Sequence, residues 1–249
     1  LQYADRLVLA GDHKQLPPTI LSAQAAAQGF SISLPERLVS QSGAALSRQL
    51  VVQYRMNQAI MQFPSDEMYE GSLLAFEQVK DHLLKDLPGV AEDNLTGTPV
   101  TFIDTAGASY DEEKEPEGES RLNPSEARLA LAKLNALLSA GVAPAQIAVI
   151  APYSAQVRHL REIIPSLDVE VDSVDGFQGR EKEAVIVTLV RSNRDGEIGF
   201  LSDVRRMNVA LTRARRKLIV IGDSATIVNH PFYQRMINYF EAIGAYVSI

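Results

Sequence analysis

Apolar residues in this chain fall into short, dense runs separated by stretches with helical spacing. Residues 184–190 read AVIVTLV, apolar but for Thr188 and β-branched at Val185, Ile186, Val187, Thr188 and Val190. Such a run suits a strand covered on both faces, as in a parallel sheet. Runs at 7–10, 100–103, 147–151, 169–171 and 217–222, and one opening LVVQYRMN after Gln49, predict further strands. Between them, Ile60, Met61 and Phe63 form the apolar face of a helix that begins at Asn57, and Pro64 is expected to break or kink it before residues 66–69 resume. Residues 21–28 and 34–41 read as short helices parted by Gly29 and stopped near Gly43. Asn123, Pro124 and Glu126 supply a cap, a first-turn proline and a carboxylate three residues on, opening a helix that runs to Gly141 and looks purely architectural. Another helix carries Val157 and Leu160, residues 204–214 place Met207, Val209, Ala210 and Leu211 inward, and 225–229 and 232–243 close the chain. Strands alternate with helices from end to end. That pattern predicts an α/β fold, a mainly parallel sheet sandwiched by helices, with every candidate functional residue at one rim where strands exit.

Composition narrows the class. At 249 residues, 46% of them hydrophobic, the chain can build a sizeable core in one or two domains. No run approaches the ~18–20 apolar residues of a membrane span, and no charged start followed by an apolar core marks a signal peptide. The expectation is an intracellular, cytoplasmic protein without a membrane partner, the nucleus being open to it in a eukaryote. The absence of cysteine excludes disulfides and thiolate metal sites, and four scattered histidines offer no ligand spacing. A first residue of Leu1 rather than methionine points to a fragment.

The formal charge of −7 speaks against a surface that grips nucleic acid all over. The acid is uneven, however: residues 111–119, DEEKEPEGE, hold six carboxylates and one lysine and are expected to form a solvated, mobile loop. Basic residues gather between Arg191 and Lys217, which leaves room for a local groove. Arg205, Arg206, Arg213, Arg215 and Arg216 crowd into twelve positions. Guanidinium forks match phosphate oxygens and stay charged, whereas a solvated basic helix face explains the same cluster without a ligand.

Four segments concentrate the candidate chemistry. In GDHKQLPP, following the first predicted strand, Asp12 and Gln15 serve either a ligand or the capping of a turn. In QYRMN, Tyr54 and Arg55 sit at a strand-to-helix junction, with a core aromatic as the plain reading of Tyr54. In VDGFQGREKE, Gly176 and Gly179 bracket Phe177 and Gln178 and let the backbone turn sharply. The fourth, VALTRARR, carries the arginines. After the strand at 147–151, Tyr153 either stacks on a nucleic-acid base, a contact of ~1–3 kcal/mol, or packs against a neighbouring loop.

In order and spacing, the four segments resemble superfamily 1 helicases, in the branch typified by the nonsense-mediated-decay helicase and the immunoglobulin-mu-binding helicase. The resemblance covers nearly the whole chain and is strongest over 173–223. It implies a RecA-like P-loop NTPase fold and a motor that couples ATP hydrolysis to translocation on single-stranded DNA or RNA and to duplex unwinding, 5′ to 3′. It further implies that Asp12 and Gln15 lie beside ATP, with Gln15 reading the γ-phosphate, that Tyr54 stacks on the base, and that Arg55 reaches the γ-phosphate. By the same resemblance Glu181 accepts from the ribose and Arg213 is the arginine finger. A finger contributes ~10³ to 10⁵ in rate, about 4–7 kcal/mol of barrier. Pro152, Tyr153, Ser173, Arg191 and Asn193 are weaker candidates for the single-strand track, whose backbone contacts carry little sequence information.

The chain departs from the family in lacking any G-x-x-x-x-G-K-[ST] loop to cradle phosphates. It is therefore expected to be the C-terminal part of a longer motor: residues 1–47 the end of a first RecA-like domain, 48–249 the second. ATP with Mg²⁺ would bind between the two domains of one polypeptide, the metal ligands lying in the preceding part, and closure on ATP would ratchet a monomer along the strand. Alone, the chain should be inactive. Two alternatives remain open: the helicase part of a nuclease or repair factor, or a non-catalytic domain that binds nucleic acid or a partner. The set Gln15, Tyr54, Arg55, Glu181 and Arg213 weighs against the second, since a binding domain has no physical need of it.

Overall fold

The computed structural model describes residues 6–20, 22–42, 47–165 and 168–249. The chain divides into two compact units, Leu1–Leu50 and Val51–Ile249. In the first, Ser22 caps α1 (Ala23–Ala25), a π-helical turn Ala26–Phe30 follows, and α2 spans Leu34–Ser42. The predicted start at Leu21 and stop at Gly43 lie outside the described residues. Residues 7–10 form no strand, and Val8 is 92% exposed. A buried strand needs ladder partners on its edges, and the described part of this unit contains no other strand.

The second unit opens with β1 (Val52–Gln53), α3 (Gln58–Met68) and β2 (Leu74–Ala75). β1 and β2 pair parallel as a sheet of their own, so Tyr54 and Arg55 follow a strand outside the main sheet. α3 runs through Pro64 without the predicted break. A mid-helix proline costs ~3 kcal/mol, and here burial of Ile60, Met61 and Phe63 offsets it, with Phe63 packed edge-on against Phe232, ring centres 5.1 Å apart. β3 (Val100–Asp104) follows, and then β4 (Glu113–Lys114) and β5 (Arg121–Leu122), which pair as an antiparallel hairpin across the acidic segment. The remaining order is α4 (Pro124–Ser139), β6 (Ile147–Ala151), α5 (Ser154–Ile163), β7 (Glu170–Ser173), β8 (Lys182–Thr188), α6 (Val204–Leu211), β9 (Ala214–Gly222), α7 (Ser224–Ile227), α8 (Pro231–Ala242) and β10 (Tyr246–Ser248).

The main sheet has the order β10-β3-β9-β8-β6-β7, and every neighbouring pair is parallel. Side chains alternate across it. Val149, Ile186, Ile219 and Ile221 share one core with Ala130 and Leu134 of α4 and Leu160 of α5. On the other side Phe102 stacks on Phe240 of α8, ring centres 5.8 Å apart. Helices thus sandwich a parallel sheet, as the alternation of runs predicts. With all strands parallel, their entrances line one rim and their exits the other. Each crossover must return the chain from exit to entrance, and this return separates the candidate residues.

Candidate functional site

Those residues do not share one rim. The return from β7 to β8 is the loop that contains VDGFQG. Ser173 ends β7 at the exit rim, and eight residues later Glu181 stands at the entrance of β8. Phe177, fully buried, pins the middle of the loop, which stabilises it by about 1.5–3 kcal/mol, and Gly179 takes φ 84, a conformation that favours glycine. Likewise α6 carries the chain back and delivers Arg213 just ahead of β9, where the Lys182 amide donates to the Arg213 carbonyl at 3.1 Å. The predicted helix over 204–214 ends at Leu211 because the next residues turn into β9. Glu181 and Arg213 therefore lie at the entrance rim of the main sheet, not at strand exits, and Tyr54 and Arg55, which leave the separate strand β1, are brought to the same rim.

Local side-chain chemistry brings Arg55 there. The Gln53 side-chain carbonyl accepts from the amides of Arg55 and Met56 at 2.8 and 2.7 Å, folding the turn. The Asn57 amide then donates to the Arg215 carbonyl at 2.8 Å, docking the turn on the start of β9. Arg55 Nε pairs with the Glu181 carboxylate, and its Nη1 donates to the Thr212 carbonyl at 3.1 Å. Tyr54 is 62% exposed with its ring centre 4.6 Å from that of Phe76, so it is no core aromatic. Arg213 is only 2% exposed: Nε donates to the Val209 carbonyl at 2.9 Å, Nη1 to that of Arg180 at 3.2 Å, and Nη2 to Thr212 Oγ1 at 2.9 Å. Carbonyls at the C-terminal end of α6 suit a cation. Arg55 and Arg213 thus meet around Thr212, one open to solvent and one enclosed.

The other arginines pair with acids. Arg215 Nη1 and Arg216 Nε share Glu183 at 2.8 Å each, Arg206 Nε lies 2.9 Å from Asp175, and Arg205 Nε lies 3.6 Å from Asp203. In the first unit, Asp12 caps its own turn, accepting from the Lys14 amide and from Gln15 Nε2 at 2.9 Å each.

The exit rim differs from its predicted form. Pro152 and Tyr153 are buried. Tyr153 Oη accepts from Arg191 Nη1 at 3.3 Å and from the Phe200 amide at 3.1 Å, so the packing alternative is the one realised. Arg191 is buried too, its Nε donating to Glu112 at 2.7 Å. The same carboxylate accepts from the Ser192 amide at 2.9 Å and from Asn193 Nδ2 at 3.2 Å. The acidic segment is consequently only partly solvated: six of its nine residues are exposed, but Glu112 is drawn into the rim and Glu115 pairs with Arg158. Asn193 closes its own loop, accepting from the Glu197 amide at 2.9 Å. Ser173 stays half-buried, its hydroxyl accepting from the Gly176 amide at 3.0 Å.

Glu126 is what the sequence reading missed. Instead of reaching back to its helix cap, its carboxyl is fully buried and accepts from the Val190 amide at 2.9 Å. Burial pushes its pKa up to about 8, against the pull of the Val190 hydrogen bond, and Asp223 and Glu112 add to the rise. Val190 itself adopts φ 73, a strained conformation for a β-branched residue, costing ~1–3 kcal/mol. Asn123 Nδ2 donates to the Val190 carbonyl at 3.3 Å. The start of α4 therefore holds the turn from which Arg191, Ser192 and Asn193 issue. Nothing in an N-P-S-E sequence separates this role from an ordinary capping box.

This parallel α/β architecture, with Glu181 and Arg213 placed just ahead of β8 and β9, belongs to a known class: the chain is a member of the AAA_12 family, described as an AAA domain, whose sequence model matches residues 30–225. It is 54% identical over 243 residues to DNA-binding protein SMUBP-2 of Rattus norvegicus, covering 97% of this chain and 25% of that protein. It is 42% identical over 246 residues to DNA polymerase alpha-associated DNA helicase A of Schizosaccharomyces pombe, with 95% and 36% covered. A regulator of nonsense transcripts 1 homolog from Neurospora crassa is 39% identical over 247 residues, with 95% and 22% covered. The chain spans about a quarter to a third of the length of these relatives, and the four-segment resemblance holds at the level of the family.

Proposed function

We propose that this chain supplies part of the ATP site and part of the single-strand track of an ATP-dependent helicase, with ATP at the entrance rim and nucleic acid along the exit rim. The convergence of Tyr54, Arg55, Glu181 and Arg213 at one end of the sheet carries the reading. The Tyr54 ring offers a surface for a purine base, Glu181 an acceptor for a ribose hydroxyl, and Arg55 a fork for phosphate. Without nucleotide, Arg55 and Glu181 satisfy each other; ATP would exchange that pair for contacts of its own. As a finger, Arg213 must leave the carbonyls of Val209 and Arg180 to face the γ-phosphate. Asp12 and Gln15 are assigned to the phosphate side on the family resemblance. On the same resemblance, the phosphate-cradling loop and the Mg²⁺ ligands are assigned to the rest of the polypeptide. The names of the relatives, a DNA-binding protein, a DNA helicase and a regulator of nonsense transcripts, support a nucleic-acid partner.

The test is single-strand-stimulated ATP hydrolysis by the full polypeptide, comparing wild type with Arg213→Ala. Stimulated turnover in the wild type that falls by ~10³ or more in the variant, with single-strand affinity kept, is expected. A correctly folded wild type that binds single strands without any stimulated turnover would sink the motor reading.

A further inference from the structure

Tyr153 is the aromatic that the sequence puts forward for base stacking, and it is covered by a second aromatic that stays open. Among the described residues of the second unit, two aromatic side chains are exposed by more than a third, Tyr54 and Phe200. They stand on opposite rims. Phe200 lies in the turn Gly199–Ser202, 57% exposed, its ring stacked on Tyr153 with centres 5.2 Å apart and planes at 29°.

A lone exposed apolar side chain is ordinary, but this one has a rigid mount. The Phe200 amide donates to Tyr153 Oη at 3.1 Å, and Tyr153 Oη donates to the Ile198 carbonyl at 3.4 Å. Arg191, held by Glu112, donates to the same hydroxyl. Gly199 makes the approach possible. At φ 52 it lies so close to the frame that an added Cβ would fall 2.6 Å from Tyr153 Oη and closer still to the Arg191 guanidinium. Buried polar groups thus hold the turn in one shape, and that shape sets the Phe200 ring at the surface.

The charge around the ring selects the ligand. The Arg206 guanidinium lies over Phe200, 5.8 Å from the ring centre, and Asp175 holds it at 2.9 Å, with Asp203 at 3.8 Å. One cation facing two carboxylates makes a poor phosphate site. A flat, uncharged partner suits it better: an aromatic ring beside a guanidinium plane is the combination on which unstacked bases lie.

We propose that Phe200 is a stacking platform for one unpaired base of single-stranded nucleic acid, backed by Tyr153 and flanked by Arg206. The proposal rests on the reading of the exit rim as the single-strand track and assigns its base contact. Stacking of this kind tolerates any base, and it rejects a duplex, whose base faces are already covered.

The experiment measures binding of fluorescent single-stranded oligonucleotides to the full polypeptide for wild type, Phe200→Ala and Phe200→Tyr, at low and high salt. A parallel series of oligonucleotides carries one abasic site stepped along the strand. Phe200→Ala is expected to weaken binding about 5- to 150-fold, and Phe200→Tyr to restore it. The factor should not change with salt, because no phosphate contact is removed. At one position the abasic site should weaken the wild type and leave Phe200→Ala indifferent. Equal affinity of wild type and Phe200→Ala, a loss that grows or shrinks with salt, or abasic effects identical in both proteins would overturn the platform while leaving the helicase reading in place. A wild type that binds no single strand at all would overturn both.

Discussion

Two ion pairs show how differently the two rims are built. At the entrance rim Arg55 and Glu181 pair with side chains 33% and 40% exposed, whereas at the exit rim Arg191 and Glu112 pair at 4% and 7%. An open pair contributes little to stability, so a ligand can take either partner at small cost. A buried pair cannot lose one member without stranding the other's charge, at about 3–5 kcal/mol. The entrance rim is accordingly arranged for exchange, and the exit rim is a frame that presents selected groups and keeps the rest of its polar chemistry inside.

The largest expected effect lies in the frame. Glu126 has a folded pKa of about 8 against an ordinary 4.5. The folded state therefore holds a proton that the unfolded state has released, and the contribution of this group is full below pH 4.5 and lost as pH rises through 8. Over that window it should fall by roughly 3–5 kcal/mol. Urea melts of wild type and Glu126→Gln across pH 5–8.5 measure it. The wild type should weaken relative to the variant as pH rises, and parallel curves would show that Glu126 is ionised in the fold.

Next in size is an entrance-rim substitution. Arg55→Ala should lower stimulated turnover by about 10²–10³, as loss of a charge-stabilising donor does, and should shift stability by ~1 kcal/mol or less. ATPase assays and melts on the same preparation decide it. A loss of several kcal/mol in stability would make Arg55 a frame residue and erase the contrast between the rims.

The smallest effect sharpens the exit-rim side. Gly199→Ala forces a Cβ into the left-handed region and against Tyr153 and Arg191, and should cost ~1–2 kcal/mol. Thermal melting should show it as a fall of about 2–8 °C. An unchanged melting temperature would mean that the turn bearing Phe200 shifts freely and is no rigid mount.

Legibility followed the range of each signal. Apolar runs marked β3, β6, β8 and β9 because burial on both faces leaves a local trace in composition. β10, Tyr246–Ser248, lies at the sheet edge, half-buried to exposed, and carried no such trace. Residues 7–10 carried the trace without the strand, since a ladder needs a neighbour. The acidic segment reads as solvent-loving, yet Glu112 meets Arg191, seventy-nine residues away. Tyr153 illustrates the same gap: its chemistry suits a base, and only packing against Phe200 decided that it is covered.

By itself, the sequence determined the α/β alternation and the family, and it singled out the residues proposed to meet a nucleotide, because periodicity, turn chemistry and motif spacing are local properties of the chain. The tertiary structure decided which rim each residue occupies and which charges are open or enclosed. Those outcomes depend on where the crossovers return the chain in an all-parallel sheet, and on contacts such as Glu126 with Val190 that join residues far apart in sequence.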